Sequence, residues 1–264
     1  DKVDEISRED QEFMILESRF LEKPAFAVEQ GRNAAKHMEQ DSRKILDIAF
    51  GLIYSYSDEQ AERVQKLESK IDRYEDELGT YLVKLNNKDL SERDSHSVSI
   101  MLHCIGDFAR ISDHAVNIME SAQELHEKNI SFSPQARNEL QVLIAVVSRI
   151  VDTAYQVFDK QDLNLTRDVE PLEEIVDELS KELKRRHVNR LRLGECTIEM
   201  GFILTDLITS LERIADHCSN ISVCVTQVRE NLYDTHSHLE NLKNEPDDSY
   251  YNRLGELHKE YVLP

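Results

Sequence analysis

A stretch of twelve residues, DFARISDHAVNI from Asp107 to Ile118, returns 103 positions later as SLERIADHCSNI from Ser210 to Ile221, with six letters unchanged. About one match is expected between random letters, so convergence of two amphipathic helices is a poor explanation. The apolar positions around the two copies keep the same step. Leu207, Leu211, Ile214, Cys218, Ile221, Val225 and Val228 alternate spacings of four and three, and Cys104, Phe108, Ile111, Ala115, Ile118, Ala122 and Leu125 do so in register with them. Such a seam belongs to a helix packed in a bundle. Upstream, Leu67-Glu68 with Ile71-Asp72 lines up with Leu172-Glu173 and Val176-Asp177 at an offset of 105. The chain must therefore build one helical unit twice.

Seven glycines and five prolines in 264 residues are too few for the turns of a sandwich, barrel or doubly wound sheet, so the fold class is all-α. Ser57 with Gln60 and Ser91 with Asp94 have capping-box spacing, and Ser133-Pro134 sets a capping hydroxyl before a proline suited to a first helical turn. These marks divide each repeat into three helices, near 24–54, 58–86 and 92–127, then 133–160, 166–191 and 193–231, with Pro171 a kink or a restart. Connections of a few residues make neighbours antiparallel. The expected architecture is a tandem pair of antiparallel three-helix bundles: a lead-in at 1–23, repeats at 24–130 and 131–231, and a tail at 232–264 with a short helix. With 40% hydrophobic residues the chain can bury a sizeable core. The longest apolar run, Leu140 to Val147, is too short to cross a bilayer. Cys104, Cys196, Cys218 and Cys224 form no CxxC pair and read as reduced core thiols.

Fifty-two acidic against 32 basic residues, a formal charge of −20, argue against a nucleic-acid surface. The carboxylates instead recur at equivalent places. The second helix of each repeat carries a Glu/Asp pair four apart, Glu68 with Asp72 and Glu173 with Asp177. The third helix adds Asp113 with Asn117, then Glu212, Asp216 and Asn220. Carboxylates about 6 Å apart repel by roughly 3 kcal/mol per pair at an effective dielectric of 20, and a bound cation removes that strain. Oxygen-rich, thiol-poor donors suit iron, manganese, magnesium, calcium or carboxylate-bound zinc. His114 and His217 read as interhelical hydrogen bonders or supports of a ligand, and Arg110 and Arg213 as partners of carboxylates. No histidine has Glu three residues before it, and HExxH, a phosphate-cradling glycine loop and a nucleophile elbow are missing from the letters, so a non-catalytic role is expected. One basic cluster, Lys181, Lys184, Arg185, Arg186, His187, Arg190 and Arg192, reads as a solvated helix end, or more sharply as a docking patch for an acidic partner or lipid headgroups.

LERIADHCSNI, Leu211 to Ile221, resembles the signature helix of the PhoU family, and DFARISDHAVNI its partner repeat; the resemblance covers roughly 24–231. It implies two three-helix bundles in tandem whose E/DxxxD motifs hold metal clusters: Glu173, Asp177, Glu212 and Asp216 in the second repeat, Glu68, Asp72 and Asp113 in the first. Ala109 stands where the first repeat's motif has glutamate, with Asp107 as a poor substitute, which leaves that site weak or empty. LESRFLEKPAFAVEQGRNAAKHM, Leu16 to Met38, and GECTIEMGFILTDLITSLERIADH, Gly194 to His217, look like the PhoU-like domain that follows the membrane portion of bacterial sodium/phosphate cotransporters. What this implies is a metal-binding regulatory domain of phosphate uptake on the cytoplasmic side, tethered to the inner membrane through a transporter portion. The alternatives are a free-standing PhoU-type regulator with a transporter partner, or a purely structural interaction module. Phosphate is expected to bind only through a bound cation, and a homo-oligomer is compatible.

Overall fold

The computed structural model describes residues 12–230 and 248–264, and is helical there. The first eleven residues of the expected lead-in, and 231–247 with the start of the expected tail, lie outside the described residues. Two short 3-10 turns, Met14–Leu16 and Ser18–Glu22, lead into α1 (Pro24–Leu52), α2 (Asp58–Asn86) and α3 (Glu92–Glu127). The second half runs α4 (Pro134–Lys160), the one-turn α5 (Leu163–Thr166), α6 (Val169–Leu193), α7 (Ile198–Glu230) and, after the undescribed stretch, α8 (Asp248–Glu260).

Local chemistry explains most of the boundaries. Pro24 and Pro134 open α1 and α4, where a missing N–H costs nothing. The Ser91 and Ser133 hydroxyls accept from the N–H groups of Asp94 and Ala136. Ser57 flanks α2 without a side-chain cap, so that capping box does not form. Pro171 produces the restart: the chain turns through α5 and resumes at Val169, with the proline in the first turn of α6. Helix α6 ends on Gly194 at φ 73°, the left-handed conformation that favours glycine.

Helices α1, α2 and α3 pack on one another, as do α4, α6 and α7, and the two bundles join along α3 and α7. Those two helices run antiparallel, since Lys128 pairs with Glu199 at one end while Asp107 meets His217 farther along. Every apolar residue of both seams is buried except Val228, which packs against the core. One continuous core results. Phe108 of α3 meets Tyr155 and Phe158 of α4 edge-on, with centroids 5.2 and 5.0 Å away. Helix α8 packs on α6, as the expected tail helix does, and the four cysteines are free thiols.

One expectation needs correction. Helix α4 is long and apolar enough to cross a membrane by length and composition, with an 18-residue window of mean hydropathy 1.3. Counting uninterrupted apolar letters missed it, because isolated polar residues break the run. Half of that window is buried inside the protein, where α4 packs on α6 and α7.

Candidate metal centre

Glu68 and Asp72 lie one turn apart on α2, and Asp113 faces them from α3. Oxygens of the three carboxyl groups all lie within 4.8 Å of one another. Beside them opens a polar cavity of about 290 Å³ lined by Asp72, Glu75, Asp76, Ala109, Arg110 and Asp113. Small residues on α3 give it room: Ala109 is nearly fully buried, and a Cβ built on Gly106 would stand 3.6 Å from the Glu75 carboxylate. Burial first, and then Asp72 and Asp113, push the Glu68 carboxyl above its ordinary range. Glu75 is raised likewise by burial, against the pull of Arg110, with Asp72, Asp113 and Asp76 adding to the rise. Arg110 donates to Asp113 at 2.9 Å, so one guanidinium serves a crowd of acids. A purely oxygen donor set in a field that already disfavours its own charge fits a hard or borderline divalent cation and does not fit a thiolate-seeking one.

Glu75 and Asp76 were not among the expected ligands. Their signal was present in the letters, because Glu68, Asp72, Glu75 and Asp76 follow one another at helical spacing. Asp107, the offered substitute for the missing motif glutamate, points elsewhere: its carboxylate sits 2.8 Å from the His217 ring nitrogen and accepts from Asn220 at 3.4 Å. Asn220 is thereby engaged across the α3–α7 seam, and Asn117 lies 3.5 Å from His114 on its own helix. The two histidines meet at the same seam, with centroids 5.8 Å apart, and burial together with His217 lowers the His114 pKa.

The second repeat carries the fuller motif but a different arrangement. Asp177 pairs with Lys181 at 3.2 Å, Glu212 with Lys184 at 2.6 Å, and Asp216 with Arg213 at 3.0 Å, while Glu173 is buried. Among the described residues, no trio from this set converges as Glu68, Asp72 and Asp113 do. The offset between repeats gives the reason: Lys181 occupies the place of Asp76, and Lys184 that of Gly79. Two ammonium groups stand where the first repeat has a carboxylate and no side chain. The basic cluster is also largely self-neutralised, with Glu139 buried between Arg186 and Arg190 at 2.9 Å from each, and Arg185 held by Glu182. Pairing with both Arg185 and Arg186 pulls Glu182 down to about 2.

With this geometry in hand, comparisons place the chain among known proteins. A family model for the PhoU domain matches it twice, over residues 35–122 and 140–225. A Thermotoga maritima protein described as phosphate-specific transport system accessory protein PhoU homolog 1 is 29% identical over 115 residues, 44% of this chain and 49% of that protein. The chain thus spans about half the length of that relative. A Deinococcus radiodurans protein described as a phosphate-specific transport system accessory protein PhoU homolog is 21% identical over 194 residues, 72% of this chain and 88% of that protein. The crystal structure of PhoU from Pseudomonas aeruginosa superposes with a TM-score of 0.72 at 22% identity, covering 78% of this chain and 98% of that one, and so shares the fold.

Proposed function

This chain belongs to the PhoU family, each of its two bundles matching that domain, and on that footing we propose that it is a non-catalytic regulatory accessory protein of phosphate uptake. The observation that carries the reading is the match of both repeats, joined to relatives described as accessory proteins of a phosphate-specific transport system. Those descriptions support an accessory protein that meets a phosphate transport system as its partner. They lend no support to the sodium/phosphate cotransporter fusion or to the membrane tether expected above.

The regulatory half of the proposal is chemical. Glu68, Asp72 and Asp113 are the residues that would hold a divalent cation, with Glu75 and Asp76 at the cavity wall. A cation held there would supply the local positive field that phosphate needs on a chain of charge −20. The fuller second motif is assigned a structural part, because Lys181 and Lys184 already answer Asp177 and Glu212, whereas the Arg213–Asp216 pair only repeats Arg110–Asp113.

The test is a pull-down of membranes carrying a phosphate-specific transport system, with the purified chain as bait, in manganese and then in chelator. Retention that depends on the cation and responds to phosphate supports both halves. Retention indifferent to the cation removes the metal half, and no retention in either condition contradicts the partner.

A further inference from the structure

The link between α1 and α2, residues 53–57, lies over the C-terminal end of α3 and the start of α4, and under it opens a second cavity of about 140 Å³. Its floor is apolar, with Leu125 and Phe132 both buried. One wall is flat: the Tyr56 and His126 rings stack at 4.7 Å with 23° between their planes. Two polar groups border the cavity, the Tyr54 hydroxyl and the exposed Arg137 guanidinium. The Tyr54 hydroxyl is shut off from solvent and has no hydrogen-bond partner, a costly state for a buried O–H. The Arg137 guanidinium lies 5.4 Å from the Tyr54 ring and has no carboxylate partner among the described residues, in a chain with 52 acidic side chains. Burial pushes the Tyr54 phenol up to about 12, so it remains a donor at neutral pH.

In the second bundle the link between α4 and α6 is built differently: it folds into α5, which packs on α4 and α7, with Leu165 against the core. A cavity of about 150 Å³ is known to admit benzene, so the space is that of a single ring. A guanidinium fork recognises a carboxylate in the plane of its two oxygens.

We propose that this cavity, between the 53–57 link and the ends of α3 and α4, binds a small planar organic anion: one aromatic ring bearing a carboxylate. The ring lies along the Tyr56–His126 wall above Leu125 and Phe132, and the carboxylate takes the Arg137 guanidinium. The site is independent of the metal centre and of phosphate.

Benzoate is the probe. His126 ring protons are followed by NMR as benzoate is added to the whole chain in chelator, with inorganic phosphate in a parallel titration. The expected result is a saturable shift with benzoate and none with phosphate. Arg137→Gln should weaken it at least tenfold at the wild-type melting temperature, while Tyr54→Phe, which removes an unpartnered buried hydroxyl, should bind as wild type does and melt no lower. Should Arg137→Gln melt early, Arg137→Lys replaces it, because an ammonium keeps the charge and loses the fork. No saturation by about 10 mM benzoate, an equal response to phosphate, or an arginine variant that binds like wild type would each overturn the proposal. The chelator separates this outcome from any failure of the metal reading.

Discussion

Asp72 sits among Glu68, Glu75, Asp76 and Asp113, and its charge is opposed from several sides. Asp72→Asn should therefore raise the melting temperature in chelator, by relieving repulsion, and abolish the rise that manganese should give wild type under the proposed reading. Thermal melts with and without the ion check both signs. Glu39 makes a second residue-scale case. It is 8% exposed on α1, one of its oxygens has no partner, and burial, with Asp159 of α4 next, raises its pKa to about 8 against the relief of Lys36. Tyr155 of α4 feels the same charge. The folded state thus holds the Glu39 proton more tightly than the unfolded chain does. The stability this brings is complete below about pH 4.5 and is lost as pH rises toward 8, on the order of a few kcal/mol. Glu39→Gln, whose amide can replace the donor, should gain on wild type across that window. Parallel melting curves at pH 5 and pH 8 would reject the assignment.

At the scale of elements, the two copies show what a repeat can keep and what it can lose. The seams, most of the helix boundaries and two of the three caps were legible in the letters, because each depends on spacing within one helix. The first-repeat trio was legible for the same reason. Pairing between helices was not: whether Asn117 and Asn220 face α2 and α6 or the α3–α7 seam depends on which helix packs there, and the seam claimed them. Convergence of carboxylates does not follow the completeness of the motif among the described residues. Glutamate at 212 and alanine at 109 made the second repeat look better equipped, while Lys181 and Lys184, one and two turns past Asp177, decide the geometry. Copying the first repeat into the second, as Lys181→Asp with Lys184→Ala, should add manganese binding that wild type lacks there. Equilibrium dialysis would read one further ion per chain, and an unchanged count would show that the lysines are not what keeps the second set apart.

The whole molecule is two bundles with one core. The α3 and α7 seams face each other, and Phe108 carries the packing from one bundle into the other. The bundles should then unfold together, with equal calorimetric and van't Hoff enthalpies. Phe108→Ala should cost about 3–5 kcal/mol and lower that single transition as a unit. Two separated transitions would mean that the repeats are independent domains. Among the described residues, the carboxylate trio that converges is the one in the first bundle, and the proposed cation belongs there. The most direct test of that assignment is manganese titration by calorimetry of wild type, Asp72→Asn and Asp216→Asn. The account predicts one ion per wild-type chain, none in Asp72→Asn and one in Asp216→Asn; binding that survives Asp72→Asn and vanishes in Asp216→Asn would contradict it.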